Sequence, residues 1–286
     1  MECGSLATAL DDVSGITAVT IASSAVGVET AKVAASPPHS KCDSQFWLFT
    51  TLLRLSNFAS MMLFSVSMFT GIIEHLGSVE SLLLQNEGGR VTIHAPTLAS
   101  KLTVSNSMAV NGCCLSIVSV DKERFSADLS GETVRKTSFG ANSGALEKGT
   151  QVNLEQPLTA GKEFGGHFVL GHVDGTGEVA HLRQEGESWW YGVQVPEELA
   201  RYIVPKGSIT IDGISLTVAR WQNSIVEAAV IPYTYEHTSI RDRKPGDAVN
   251  LEGDVLGKYV EGYLQAREQK ASASQISVQE LINQGF

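Results

Sequence analysis

The sequence Ser107-Met-Ala-Val-Asn-Gly-Cys-Cys-Leu-Ser-Ile117 returns 101 residues later as Ser208-Ile-Thr-Ile-Asp-Gly-Ile-Ser-Leu-Thr-Val218. Three more pairs of blocks recur in the same order at nearly the same offset: 71–79 with 171–179, 132–139 with 233–240, and 152–155 with 249–252. Chance is a poor explanation for four ordered matches. A period near 100 residues is too long for a solenoid unit and indicates a duplicated domain.

Each copy carries the pattern of short strands. Val91–Ala95 and Ile209–Val218 alternate apolar and polar side chains, which predicts strands with one buried face. Glycine and proline interrupt the chain at short intervals, and neither copy contains a long run with helical period. We therefore predict an all-β fold of two tandem six-stranded Greek-key-type barrels, the first over residues 68–163 and the second over 164–253.

A helix is predicted after the second barrel, over residues 254–270, followed by a tail over 271–286. Its apolar side chains recur with helical spacing and form one stripe, which comprises Val255, Leu256, Tyr259, Val260, Tyr263 and Leu264. The stripe has to be buried, either on the helix's own barrel or on a partner subunit. The sequence alone leaves these two alternatives open.

Residues 1–67 differ from the rest, being rich in Ala, Ser, Thr and Val without a sustained period. A mostly apolar run over 46–66 is almost long enough to cross a bilayer, but Arg54, Ser56 and Asn57 interrupt it. A targeting peptide should be poor in acids, whereas this segment has more acids than bases. Three alternatives stay open: a targeting segment, an anchor, and a disordered or overlong reading frame ahead of a start at Met68.

Composition excludes several classes of function. The formal net charge of −10 argues against a nucleic-acid groove, which needs clustered Lys and Arg. The four cysteines have neither disulfide-scaffold nor zinc-site spacing, which favours a reducing, cytoplasmic compartment, with organelle targeting by residues 1–67 left open. His167 and His172 are expected on opposite faces of a strand, so no metal site is predicted. No glycine-rich nucleotide motif opens a helix, so no cofactor is predicted.

Differences between the two copies suggest unequal roles. Ile72 in the first copy is replaced by His172 in the second, so a titratable group is present on one side only. Ser215 and Thr217 share one face of a strand and correspond to Cys114 and Ser116. Two similar barrels can hold two similar ligands, and this asymmetry fits a reaction in which two bound copies of one substrate act differently.

Specific motifs resemble riboflavin synthases. These are Met68-Phe-Thr-Gly-Ile-Ile-Glu74, Asn111-Gly-Cys-Cys-Leu115, Gly165-Gly-His-Phe-Val-Leu-Gly-His172 and Ile211-Asp-Gly-Ile-Ser-Leu-Thr217, and the resemblance runs from Met68 to about Leu264. It implies a transferase of riboflavin biosynthesis that dismutates two 6,7-dimethyl-8-ribityllumazine molecules to riboflavin and 5-amino-6-ribitylaminouracil. It also implies a homotrimer whose active site forms between the N-barrel of one subunit and the C-barrel of another. Association with lumazine synthase is left open.

The resemblance also implies functional residues. Those implicated in catalysis are Phe69, Cys114, His172, Ser215, Thr217 and Asp254. Ligand positions assigned to the first barrel are Gly71, Ile72, Ile73, Cys114, Leu115, Ser116, Asp128, Leu129, Ser130, Gly131, Glu132 and Thr133, with Gly171, His172 and Val173 closing over that site and Ser107 added as a contact. Those assigned to the second barrel are Lys206, Ser215, Leu216, Thr217, Ile231, Pro232, Tyr233, Thr234, Tyr235 and Glu236. Ser116 stands where the family usually has Thr, and Asn106 where an Asp is common.

Two rival functions are considered. A non-catalytic lumazine- or flavin-binding protein of the same fold is expected to lose the polar residues of one site, whereas this chain retains both sets. A flavin oxidoreductase with a related barrel would need a second, dinucleotide-binding domain, which the sequence does not contain. The chemistry of the implied reaction needs a base near the C7 methyl group of a lumazine and donors aimed at the ring. His172, Ser215 and Thr217 can supply these groups, while the residue that takes the first proton stays open.

Overall fold

The computed structural model describes residues 67–85, 88–140, 146–273 and Asn283. The alternatives for residues 1–66, and the prediction for most of the tail, lie outside these residues. Both barrels belong to one compact unit, residues 66–286. Within the described part of the chain, no helix combines the length and apolar character needed to cross a membrane.

The first copy is a closed barrel of six antiparallel strands. The strands are β1 (His75–Gln85), β2 (Gly88–His94), β3 (Ser107–Val110), β4 (Cys113–Val120), β5 (Arg124–Leu129) and β6 (Gln151–Glu155), in the order β1-β2-β5-β4-β3-β6 with β6 also pairing β1. Two short helices, α1 (Pro96–Ala99) and α2 (Gly131–Lys136), follow β2 and β5. Phe125, Ala127 and Leu129 of β5 point into the core and alternate with outward polar residues. The period-2 pattern thus places one face of β5 in the core, whereas β3 and β6 are buried on both faces over most of their length.

The second copy repeats this order with one difference. Its strands are β7 (Gly175–Glu185), β8 (Ser188–Gln194), β9 (Ser208–Ile211), β10 (Ile214–Thr217), β11 (Arg220–Gln222), β12 (Ile225–Val230) and β13 (Ala248–Gly253), with helices α3 (Glu197–Ala200) and α4 (Pro232–His237) and a 3₁₀ turn (Ser239–Asp242). The sheet order is β10-β9-β13-β7-β8-β12-β11. The predicted tandem barrels are confirmed, but this copy has seven strand segments instead of six.

The extra segment arises where one strand is interrupted. Strands β10 and β11 together correspond to β4, and Val218 and Ala219 separate them. In the first copy, the equivalent place in β4 is a bulge between Ile117 and Ser119. A bulge adds an unpaired residue and increases the local twist. The interruption is therefore a stronger form of a bend that both copies share, and it lets the second sheet curl back on itself.

Reciprocal hydrogen bonds join the two copies. The side-chain amide of Asn153 donates to the carbonyl of Asp212 at 2.9 Å, and that of Asn250 donates to the carbonyl of Asn111 at 2.8 Å. All four residues are at most 2% exposed. Because buried amides and carbonyls need partners, these bonds fix the relation between the barrels. The two copies therefore form one body with an approximate two-fold relation.

The C-terminal helix, α5 (Val255–Ala273), leaves its apolar stripe exposed in the single chain. Five of the six stripe residues are 49–74% exposed, namely Leu256, Tyr259, Val260, Tyr263 and Leu264. The first turns of the helix are held by ion pairs of Lys258 with Asp174 at 2.7 Å and of Glu261 with Arg201 at 3.7 Å. Of the two sequence alternatives, packing of the stripe on the helix's own barrel is excluded.

Candidate active site

Two matching polar surfaces lie on the outer faces of the barrels. On β4, Cys114 and Ser116 point outward between buried residues, and on β10 Ser215 and Thr217 do the same. Leu115, Leu129 and Leu216, also among the predicted ligand positions, have side chains 3–8% exposed in the barrel cores. Only the backbone of these leucines can therefore face a ligand on the outer surface.

The segments that directly precede β1 and β7, called the crossing segments below, each lie against the opposite copy. Phe69 and Val169 form an isolated antiparallel bridge, beyond which the two segments diverge. The backbone N–H of Ser215 donates to the carbonyl of Gly71 at 2.8 Å, and the N–H of Cys114 donates to the carbonyl of Gly171 at 2.9 Å. Strands β4 and β10, which carry predicted ligand positions and are called the ligand strands below, are therefore each completed by a segment from the other copy.

This crossing corrects one expectation. The sequence assigned Gly71–Ile73 to the first barrel's ligand positions, whereas the structure places this segment against the second barrel, where Ile73 packs on the core. The segment with Gly171 and His172 does lie against the first barrel, and Val173 packs on that core. The physical reason is the bridge at Phe69, which directs the two chains past each other.

Glycine is required at the crossing points. Gly71 and Gly171 have φ values of +77° and +74°, a region that other residues enter only with strain. A Cβ at Gly71 would lie 2.6 Å from Cβ of Ser215, and one at Gly171 would lie 2.6 Å from Cβ of Cys114. The absence of a side chain therefore permits both the conformation and the close approach to the ligand strands.

Two buried carboxylates hold the crossing segments. Glu155 accepts hydrogen bonds from the backbone N–H groups of Thr70 and Gly71 at 2.7 and 2.9 Å. Glu252 accepts from those of Leu170 and Gly171 at 2.7 and 3.0 Å. Sequence reasoning missed this role, although both glutamates lie in a repeated block. A lone glutamate in a strand pattern gave no indication that it is buried.

The structure divides the predicted catalytic residues between two places. His172 is exposed on the segment beside Cys114, while Ile72, 47% exposed, occupies the equivalent position beside Ser215. Within one chain, His172 therefore belongs with the first barrel's surface, and the second barrel's surface has an isoleucine there. Among the described residues, the His172 side chain makes no hydrogen bond.

Phe69 and Asp254 lie at the margins of these surfaces. Phe69 is fully buried and packs with Ala109 and Val169, with Cys114 against the same cluster. Phe69 therefore packs on the buried side of the point where the two segments cross. Asp254 precedes α5, where its carboxylate accepts from the N–H of Leu256 at 2.9 Å.

His167 is a site residue that the sequence did not identify. It is 8% exposed, its Nδ1 lies 2.7 Å from Oγ of Ser215, and its Nε2 lies 3.2 Å from Oγ1 of Thr210. Burial lowers the pKa of His167, and the charge of Asp254 opposes this shift. A neutral imidazole between two hydroxyls accepts from one and donates to the other. His167 corresponds to Ser67 in the duplicated sequence. This difference between the two copies could have identified it as a candidate site residue.

The first barrel has a different arrangement at this position. Oγ of Ser67 donates to Oγ of Ser107 at 2.6 Å. Burial raises the pKa of the Cys114 thiol, and a hydrogen bond with Ser107 opposes that shift. Burial also raises the pKa of Cys113, whose side chain points into the core, to about 12. Cys114 therefore presents a neutral thiol at neutral pH.

The remaining predicted residues follow the strands that neighbour these surfaces. Strand β5 pairs with β4 and leads into α2, whose first turn is capped by Ser130 accepting from the N–H of Thr133 at 3.1 Å. On the second copy, β12 leads into α4, where Tyr235 stacks on Trp189 with ring centroids 3.9 Å apart. Lys206 is exposed, with its backbone N–H bonded to Val218 at 2.8 Å. Asp128 pairs with Arg90 at 2.6 Å, so its carboxylate is already engaged.

The fold and both copies match known lumazine-binding proteins. Residues 70–157 and 170–254 each match the lumazine binding domain. A solved structure of LumP complexed with riboflavin has a TM-score of 0.60 and 23% identity, covering 65% of this chain and 98% of that chain. LumP complexed with 6,7-dimethyl-8-(1'-D-ribityl) lumazine gives a TM-score of 0.58 at 22% identity, covering 64% and 98%. The chain is thus a tandem-barrel protein of the lumazine-binding class.

Relatives found by sequence comparison show which family within the lumazine-binding class the chain belongs to. The riboflavin synthase of Actinobacillus pleuropneumoniae is 41% identical over 219 residues, which are 77% of this chain and 100% of the relative. That of Bacillus subtilis (strain 168) is 36% identical over 219 residues, with the same coverage. That of Mycobacterium bovis is 42% identical over 199 residues, which are 68% of this chain and 96% of the relative. The chain belongs to the riboflavin synthase family, which confirms the resemblance found in the sequence.

Proposed function

We propose that this chain catalyses the dismutation of two 6,7-dimethyl-8-ribityllumazine molecules to riboflavin and 5-amino-6-ribitylaminouracil. The observation that carries this proposal is that both outer surfaces keep their polar residues. The first barrel keeps Cys114 and Ser116, and the second keeps Ser215 and Thr217. A protein that only binds one ligand has no use for two such surfaces, so this retention favours the enzyme over the non-catalytic binder.

The proposed roles follow from the requirements of the reaction. One lumazine gives up a four-carbon unit to the other, and a proton must leave the C7 methyl group of one ring. His172 is a base on the first barrel's side, and Ser215 with Thr217 are donors on the second barrel's side. His167 hydrogen-bonds to Ser215, which fixes the orientation of that hydroxyl. Holding two rings together also removes an entropic cost, worth about 7–11 kcal/mol at best.

We propose that the working unit is a homotrimer in which the first barrel of one subunit faces the second barrel of the next. The exposed stripe of α5 supports an assembly, because five large apolar side chains on one helix face are unusual on a monomer surface. Such an arrangement would bring His172 of one subunit towards Ser215 and Thr217 of another.

Incubation with the lumazine alone tests the function. We expect one riboflavin per two lumazines consumed, measured by riboflavin fluorescence and chromatography, without added metal or nucleotide. Turnover that disappears after dialysis against a chelator and returns with metal would contradict this. Tight binding of the lumazine without any riboflavin would instead support the non-catalytic binder.

A further inference from the structure

Glu155 and Glu252 are equivalent buried carboxylates near the ends of β6 and β13. Each is 2% exposed and holds one crossing segment through two backbone N–H groups. Bidentate acceptance of backbone N–H groups by a carboxylate is a charge-assisted interaction, which is stronger than a neutral one. These two segments bring Gly71 and Gly171 to the opposite ligand strands, so the carboxylates act on the site through them.

The two carboxylates differ in one donor. Oγ1 of Thr70 adds a third hydrogen bond to Glu155 at 2.8 Å. In the second copy, Leu170 occupies the position of Thr70, so Glu252 receives only the two backbone bonds from its segment. The segment held by the weaker arrangement is the one that carries His172.

Glu252 also has charged and titratable neighbours from several elements. Lys258 of α5 and Asp174, which precedes β7, act on it in opposite directions and pair with each other at 2.7 Å. The thiols of Cys113 and Cys114 on β4 also interact with it. Burial dominates and raises the pKa of Glu252 to about 7, while the Leu170 N–H, Lys258 and the Gly171 N–H lower it. Burial also raises the pKa of Glu155, against the donors from Thr70 and Gly71.

We propose that Glu252 is a positioning residue whose ionised carboxylate holds the His172 segment against the ligand strand of the first barrel. Glu155 does the same for the Ile72 segment on the second barrel. A protonated carboxyl keeps one strong acceptor, its carbonyl oxygen, while its hydroxyl oxygen is a weaker acceptor than a carboxylate oxygen. Protonation of Glu252 therefore weakens one of the two bonds to Leu170 and Gly171. Its part in turnover rests on the proposed function, whereas its hold on the segment does not.

Amide hydrogen exchange of the full chain tests the hold directly. Glu252→Gln keeps the shape but presents an amide NH₂ to a backbone donor. At one fixed pH, we expect exchange in the peptide covering 168–173 to become at least tenfold faster, while the peptide covering 68–73 is unchanged. Glu155→Gln is the matched control and should give the reverse pattern. Equal acceleration of both peptides by either variant, or no acceleration, would overturn the proposal.

The pH profile of kcat supplies the second readout. Because ionised Glu252 holds the segment more firmly than protonated Glu252, we expect kcat to rise with pH through about 7. Glu252→Gln should lower kcat at least tenfold and remove this rise, with a smaller effect on KM.

Leu170→Thr introduces the residue found at the equivalent position, Thr70. It should shift the rise to lower pH, because a third donor favours the carboxylate. An unshifted profile in Leu170→Thr together with a wild-type profile in Glu252→Gln would overturn the proposal. A chain without any turnover would refute the proposed function, and the exchange experiment would still decide the positioning role.

Discussion

Gly171 shows how much of the site depends on one missing side chain. Its φ of +74° and its close approach to Cys114 are separate constraints, and the chain offers a control for the first. Gly246 has a φ of +94°, and a Cβ added there would meet nothing within 4 Å. We expect Gly246→Ala to cost about 1–2 kcal/mol of unfolding free energy through backbone strain alone. Gly171→Ala should cost more and abolish most turnover, because the clash moves the His172 segment. Urea unfolding and steady-state rates compare the two, and equal costs would show that the approach to Cys114 is unimportant.

The asymmetry between the copies predicts unequal effects of three further substitutions. His172→Ala and Ser215→Ala should each lower kcat about 10²-fold or more, because one removes the proposed base and the other a proposed donor. Ser116→Ala should mainly weaken binding of the lumazine on the first barrel, about fivefold for one hydrogen bond. Steady-state kinetics with fluorescence titration separates these effects. Wild-type rates from His172→Ala would remove that residue from the mechanism.

At the scale of elements, the sequence predicted what depends on local pattern. Period-2 alternation predicted the strand β2, but the alternating stretch 209–218 forms two strands, β9 and β10, separated by Asp212 and Gly213. The repeated blocks identified the two barrels. The interruption of the second barrel at Val218 and Ala219 could not be predicted. It depends on how the strand pairs with β12, which no local sequence pattern indicates. The crossing at Phe69 could not be predicted either. A segment that precedes a barrel can pack against its own copy or the other copy with the same sequence pattern. Those non-local pairings decide which residues share a surface.

The stripe of α5 carries an element-scale prediction. Tyr259→Lys combined with Tyr263→Lys should convert the proposed homotrimer into monomers, because charges cannot be buried between subunits without partners. Gln265→Lys is the matched control, since Gln265 lies on the opposite face and bonds to Glu261 at 2.7 Å. Sedimentation velocity measures the change, and turnover should fall with it if the active site forms between subunits. A double variant that sediments like the wild type would show that another surface forms the assembly.

At the scale of the molecule, the residues on either side of Met68 belong to the fold. Ser67 and Phe69 already take part in it, through a hydrogen bond to Ser107 and the bridge to Val169. A chain starting at Met68 should therefore fold and keep full turnover, although it lacks the hydrogen bond from Ser67. Thermal unfolding and steady-state rates of the shortened and full chains check this. Loss of solubility or activity would show that the preceding segment contributes to the structure.

The crossing of the segments also predicts how a single barrel behaves. The first copy is a closed barrel with its own core, so residues 68–157 should fold and bind lumazine or riboflavin while turning over slowly at most. Its ligand strand nevertheless lacks the carbonyl of Gly171, which Cys114 uses in the whole chain. A chain of residues 68–174 restores that carbonyl and the packing of Val173 on the first core. It should bind riboflavin several-fold more tightly than residues 68–157, and Gly171→Ala in the longer chain should cancel the gain.

Fluorescence titration measures all three affinities. Equal affinities for the two lengths would mean that the crossing segment does not form part of the ligand site, and no binding by either would refute the two-site arrangement.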